Sequence, residues 1–163
     1  MTLPLSRDIM HLGVMKIMSL MVISDTHGRT TDIMNILIEN KEITHLVHLG
    51  DMVRDAEDIE AAFPDLKVIK VSGNNDFWSR EKEELFFDWY GLKIFACHGH
   101  RYGVRGSKGV LATRANELGA DMALFGHTHI KFEEELDGVQ LLNPSSTGYY
   151  IINKSGDYIY KDL

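Results

Sequence analysis

Histidines, aspartates and one asparagine recur in this 163-residue chain as short clusters, each placed just after an apolar run. Asp25-Thr26-His27 follows residues 17–24, Gly50-Asp51 follows 46–49, and Gly73-Asn74 follows 67–71. His98-Gly99 follows 92–96, and Gly126-His127-Thr128-His129 follows 122–125. Carboxylate and amide oxygens with imidazole nitrogens, and no thiolate, form a donor set that suits Mn, Fe, Zn or Ni rather than Ca or a copper site. Seven such side chains are available: Asp25, His27, Asp51, Asn74, His98, His127 and His129. They can serve two ions with four protein ligands each only if one carboxylate bridges. Any single cluster has a plainer explanation, because Asp, Asn and Ser bond their own backbone in turns. Five in succession, each at the end of an apolar run, are hard to explain that way.

For these side chains to meet, the runs before them must be strands whose carboxyl ends lie together, where open α/β sheets keep their ligand crevice. The first half reads as strand 17–24, a helix to about residue 40 capped by Thr30, Thr31 or Asp32, strand 46–49, a short helix 56–63 closed by Pro64, and strand 67–71. Such an alternation favours a parallel sheet with right-handed crossovers. In the second half, strands 85–89 and 92–96 form a hairpin around Tyr90-Gly91, and Ser107 can cap a helix that Gly119 stops. Strand 122–125 follows, then a hairpin of 132–136 and 139–142 around Asp137-Gly138, then strands 149–152 and 158–160. The expected fold class is α/β, two packed mixed β-sheets flanked by helices. Glycines 50, 73, 99 and 126 abut the donors and fit the tight turns that gather them. Residues 1–14 carry no clear period and read as a disordered N-terminal extension before a single domain over 15–163.

A net charge of −7 and a pI near 5.6 argue against holding nucleic acid through its phosphates, which needs a basic face. A small anionic ligand remains compatible if a metal supplies positive charge locally. The lone Cys97 cannot form an internal disulfide, and a reducing cytoplasm is the simplest compartment. No apolar run approaches the roughly 20 residues of a membrane span, so no membrane partner is expected.

Asp25-x-His27, Gly50-Asp51, Gly73-Asn74, His98-Gly99 and Gly126-His127-x-His129, in this order, resemble the five signature motifs of the calcineurin-like metallophosphoesterases. Compactness and His98-Gly99-His100 after a hairpin make the chain most similar to their small prokaryotic phosphodiesterase branch, the YfcE-like proteins. The resemblance spans nearly the whole chain and implies a four-layer sandwich with two divalent transition-metal ions, Mn first, with Ni, Fe or Zn as alternatives. It further implies that Asp25, His27 and His129 bind one ion, that Asn74, His98 and His127 bind the other, and that Asp51 bridges. The implied reaction is hydrolysis of a small phosphodiester or phosphomonoester by a hydroxide held between the ions.

One position departs from the pattern. Many of these phosphatases carry a histidine directly after the motif asparagine as general acid; this chain has Asn75, which cannot donate a proton near neutral pH. His100 is the candidate substitute, which implies slow turnover or a preference for esters with good leaving groups. Asp76 is either a turn residue or a group that orients a ligand. Asn74, Arg101 and Arg105 are the candidate substrate contacts. Phe86, Phe87, Trp89, Tyr149 and Tyr150 read as core, with the cleft or a homo-oligomer contact as the alternative. Two competing functions stand beside the phosphodiesterase: a scaffold subunit on the same fold, like the retromer component that resembles this family, and a nuclease, which the acidic balance disfavours.

Overall fold

The computed structural model describes residues 18–163. The expected extension over residues 1–14 and the start of the first strand at Ile17 lie outside the described residues. The elements run β1 (Ser19–Ile23), α1 (Thr30–Glu39), β2 (Ile43–His48), α2 (Val53–Ala62), β3 (Lys67–Lys70), β4 (Glu84–Trp89), β5 (Leu92–Cys97), α3 (Gly109–Glu117), β6 (Met122–Leu124), β7 (Phe132–Leu136), β8 (Val139–Asn143), β9 (Gly148–Asn153) and β10 (Tyr158–Asp162). A 3-10 turn covers His100–Tyr102.

Two five-stranded mixed sheets result, ordered β10-β9-β1-β2-β3 and β4-β5-β6-β8-β7. In the first, β1, β2 and β3 are parallel, as the strand-helix alternation requires, and β9 adds antiparallel to β1. In the second, β5, β6 and β8 are parallel, with hairpin partners β4 and β7 at the edges. Both edge hairpins turn on two residues of positive φ, Tyr90-Gly91 and Asp137-Gly138, which gives the twist that joins adjacent strands directly.

Period-two alternation within doubly buried strands sorts their side chains into three apolar layers. Leu20, Val22, Val47, Ile94, Ala96, Leu124, Leu142 and Tyr150 meet between the sheets. Met21, Ile23, Leu46 and Tyr149 turn outward against Ile33 and Leu37 of α1 and Ile59 of α2. Phe95, Ala123, Phe125 and Leu141 turn the other way, against Leu111, Ala112 and Ala115 of α3. The layers are therefore helix, sheet, sheet, helix, and the β1, β2, β3, β5 and β6 ends open into one region.

Two helix starts differ from expectation. No side chain caps α1, which begins at Thr30 after Arg29 N–H has closed a turn onto the Thr26 carbonyl. α2 begins three residues before the expected Ala56, because the Asp76 carboxylate, from a separate loop, accepts the Met52 and Val53 amides at 2.9 Å each. A cap supplied from another part of the chain leaves no local signature. Ser107 does accept the Gly109 amide at 3.1 Å, and Gly119, at φ 75°, ends α3 as expected.

Candidate metal centre

The candidate donors converge where these strands end. Asp25, after β1, is fully buried. Its Oδ2 accepts the Ser24 hydroxyl at 2.6 Å and the His127 amide at 3.1 Å, whereas Oδ1 has no hydrogen-bond partner among the described residues. His129 Nε2 stands 3.1 Å and His98 Nε2 4.0 Å from that free oxygen. His98 Nδ1 lies 2.8 Å from the Leu49 carbonyl, which can only accept, so the proton belongs on Nδ1. The Nε2 lone pair of the neutral ring then faces two buried carboxylates, with Asp51 Oδ1 at 3.4 Å. That arrangement is repulsive unless a cation or a proton sits between them. Burial opposes a charged His98, yet the Asp51 and Asp25 carboxylates outweigh it and raise its pKa, which expresses the same demand. At Asp51 burial also opposes charge, and His98 and Asn75 outweigh it, holding the carboxyl well below the usual range.

Two groups have ligand atoms all within 4.8 Å of one another: Asp25, His27 and His129, and Asp25, Asp51 and His98. A buried Asp25 oxygen without a donor, and a His98 lone pair held toward it and Asp51 by a carbonyl behind the ring, fit divalent transition metals. Asp25 is the carboxylate common to both groups, while the resemblance assigns the bridge to Asp51. The His127 ring meets His98 edge-on at 5.1 Å but belongs to neither group. Asn74 is exposed on the loop after β3.

Backbone strain concentrates here. Asp25, His27, Asp51, His127 and His129 have φ of 51°, 45°, 54°, 68° and 61°. Such conformations cost about 1–3 kcal/mol each and persist only where the surroundings impose them. Part of the imposition is close backbone approach. A Cβ on Gly73 would lie 2.6 Å from the Asp51 amide, and one on Gly126 would lie 2.7 Å from Asp25 Oδ2 and collide with the Ser24 hydroxyl.

Hydrogen bonds from behind supply the rest. Asp76 accepts four amides, from Asp51, Met52, Val53 and Gly73, and so locks the second and third motif loops together. His48, fully buried, accepts the Gly50 amide on Nδ1 at 3.2 Å, so its Nε2–H donates to Thr26 Oγ1 at 3.0 Å. Thr26 in turn donates to Asp55 at 2.6 Å, and Asp55 also accepts the Gly28 amide. This chain ties the Asp25-to-Gly28 turn to the Gly50-Asp51 turn. Asn143, buried at the end of β8, donates to the Gly126 carbonyl at 2.9 Å and to Thr128 Oγ1 at 3.0 Å, fixing the two-histidine turn. Sequence reasoning missed Asp55 and Asn143. Asn143 carried the available signal, a polar residue closing an apolar strand; Asp55 lies inside α2 and carried none.

The remaining candidates divide. Asn75 donates to Asp51 through both its backbone amide (3.0 Å, Oδ1) and Nδ2 (2.7 Å, Oδ2). His100 is mostly buried, its ring 5.5 Å from His98 and 6.2 Å from His127, with Glu83 Oε1 at 3.9 Å. Burial lowers its pKa, and His98 adds to this whenever that ring is protonated. Arg101 pairs with Glu83 and lines a different cavity, whereas Arg105 lines the one that contains His129. Tyr149, Tyr150 and Trp89 are core residues as expected, and Phe86 is 44% exposed.

Fold and site together define a class: an α/β sandwich with a cluster of candidate oxygen and nitrogen metal ligands at the carboxyl ends of its strands. Residues 18–161 match the calcineurin-like phosphoesterase superfamily domain, and the chain belongs to that family. The probable metallophosphoesterase YsnB of Bacillus subtilis is 33% identical over 143 residues, 86% of this chain and 82% of that protein. A solved archaeal phosphodiesterase superposes with a TM-score of 0.69 at 22% identity, covering 90% of this chain and all (100%) of that one. Vps29 of Entamoeba histolytica in complex with zinc superposes at 0.68 with 20% identity, covering 90% and 98%. Among the described residues no helix is long and apolar enough to cross a membrane.

Two predictions follow from the supports. Gly73→Ala, which must push the Asp51 amide aside, is expected to destabilise the fold by about 1–3 kcal/mol in urea unfolding; unchanged stability would mean that the two loops are not packed as described. The second concerns His48, whose pKa burial lowers to about 4 from 6.5. Between those values the unfolded chain binds the proton and the folded one does not, so stability is full above pH 6.5 and falls as pH drops toward 4. The expected loss is up to about 3 kcal/mol. In His48→Gln that part of the pH dependence should vanish, whatever the variant's baseline stability; an identical slope would refute it.

Proposed function

We propose that this protein is a two-metal phosphodiesterase acting on small phosphate esters in the cytoplasm, with Mn as the first candidate metal and Ni, Fe or Zn as alternatives. The observation that carries this reading is the unpartnered Asp25 Oδ1 facing the His98 lone pair and the Asp51 carboxylate. The family supports hydrolysis of phosphoesters, and the likeness to the archaeal phosphodiesterase supports diesters in particular. Asp25, His27 and His129 would hold one ion, and Asn74, His98 and His127 the other. Asp51 is the bridging ligand of the family pattern, while Asp25 is the more central carboxylate in this geometry. When bound, the ions supply positive charge for the phosphoryl oxygens and lower the pKa of a water that can attack it in line.

The protein's own groups do the rest. Asn75 orients Asp51 by two donations, and Asp76, its oxygens occupied by four amides, positions the loops without handling protons. Asn74, exposed beside them, and Arg105, in the lining of the cavity beside His129, would meet substrate. His100 is the titratable side chain next to the histidine cluster that no strong hydrogen bond occupies, so it is assigned the leaving-group proton. Its lowered pKa leaves little imidazolium at neutral pH, which favours esters whose leaving group departs without help. A scaffold role on the same fold is the second reading, favoured by Phe77 and Trp78, 80% and 97% exposed on the loop that follows Asn75.

The reading is tested by measuring bound metal and hydrolysis of bis(4-nitrophenyl) phosphate in Mn buffer for the parent, Asp25→Asn and Asp51→Asn. Each substitution is expected to lower metal content and to cut kcat/KM by at least about 100-fold, the scale of lost electrostatic stabilisation in mutagenesis. Intact metal and turnover in both would remove the assignment, and an inactive, metal-free parent would favour the scaffold. A separate comparison addresses the acid. His100→Ala should slow alkyl esters by about 100-fold or more while leaving nitrophenyl esters within a few-fold of the parent; equal effects on both would exclude proton donation from His100.

A further inference from the structure

One wall of the site is charged opposite to the molecule. In a chain of net charge −7, the cavity beside His129, about 440 Å³ in volume, is lined by Arg105, Lys108 and Lys131 and by no carboxylate. Lys131 is partly answered by Glu133 at 3.2 Å. Among the described residues, neither Arg105 nor Lys108 has a carboxylate oxygen within 4.0 Å. Lys108 Nζ instead stands 5.0 Å over the Phe132 ring, which steadies an ammonium without cancelling its charge or occupying its donors. Both cations ride on the stretch between Gly103 and Gly109, anchored by fully buried Val104, which packs where a Cβ on Gly99 would lie 3.0 Å away. His129, a candidate ligand, belongs to the same lining, so the cavity is continuous with the metal centre.

Two unpaired cations held beside a site that handles phosphate are more than the scissile group alone requires. Building on the phosphodiesterase reading, we propose that this cavity receives a second anionic group, a carboxylate or a further phosphate, carried on the substituent of the ester that is not the leaving group. The preferred substrate is then a small diester with an anionic tail. Three cations on an otherwise acidic surface are too few to track a polynucleotide backbone, and charge-assisted bonds from Arg and Lys to one compact anion are the economical use of them.

The test uses three diesters of one leaving group in Mn buffer: 4-nitrophenyl propyl phosphate, its 2-carboxyethyl analogue and its 2-phosphonoethyl analogue. The parent is expected to prefer at least one anionic tail over propyl by about tenfold in kcat/KM, the better analogue naming the group. Lys108→Glu should bring that ratio to one or below, and Arg105→Met should reduce it. Because the ratio is internal to each variant, a general loss of rate does not affect it. Equal use of all three esters by the parent, a preference untouched by both substitutions, or cleavage of an oligonucleotide as fast as the anionic esters would each overturn the proposal. If no ester is turned over, the phosphodiesterase reading fails by itself, and titration with inorganic sulfate decides the cavity. Amide NMR shifts over residues 128–132 that Lys108→Glu abolishes would support it, and their absence would overturn it.

Discussion

Two carboxylates, Asp25 and Asp51, are buried within reach of one imidazole whose lone pair points at both. Like charges removed from water repel strongly, and a neutral ring offers them no donor, so the arrangement is tenable only with positive charge between them. Much of the surrounding structure maintains this unfavourable geometry. Ser24 and the His127 amide satisfy one oxygen of Asp25 and leave the other free, while the Leu49 carbonyl fixes the His98 tautomer. The site is thus prepared to hold a cation, with the ligand orientation already set by hydrogen bonds behind it.

Strands alone could not achieve that. Their carboxyl ends bring the motif loops into one region, but five of the seven candidate ligands, Asp25, His27, Asp51, His127 and His129, sit on turns with left-handed backbone, which side chains other than glycine adopt at a cost. The cost is offset by cross-links between loops remote in sequence. Asp76 ties the third motif to the second, the Asp55, Thr26 and His48 chain ties the first to the second, and Asn143 ties the fifth to the end of β8. Each link satisfies buried amides or carbonyls that the turns would otherwise orphan, so the same bonds serve stability and ligand placement.

This division explains what could be read from the sequence. Strand and hairpin positions follow from local patterns: alternating or continuous apolar runs, Tyr90-Gly91 and Asp137-Gly138 turns, and Gly119 as a stop. The candidate ligand residue types were legible because each follows an apolar run. The remote links were not, because a carboxylate that caps a helix from another loop leaves no mark near that helix; α2 therefore began earlier than expected. Pairing between side chains was equally invisible. Arg101 and Arg105 look alike in the sequence, yet one is bound to Glu83 and the other lines the cavity beside His129. The carboxylate shared by the two candidate donor groups shows the same limit: residue type permits Asp25 or Asp51, and only distances make Asp25 common to both.

Charge distribution joins these points. An acidic chain repels small anions at long range, and with a Debye length of about 8 Å at physiological ionic strength that repulsion is largely screened before an ester reaches the cleft. Capture then depends on local groups. Bound cations would neutralise the ligand carboxylates, and the guanidinium of Arg105 with the ammonium of Lys108 would still face the cleft without carboxylate partners. Histidines 98, 100 and 127 sit within about 6 Å of one another, and burial with mutual repulsion keeps His100 and His127 toward the neutral form. Arg105 and Lys108, which line the cavity beside His129 without carboxylate partners, are then the side-chain cations open to an incoming anion on that wall. On the proposed reading, an ester entering there would be oriented by its tail before its phosphoryl group reached the paired carboxylates, and selection among esters would fall to the loop from Gly103 to Gly109 rather than to the candidate metal ligands.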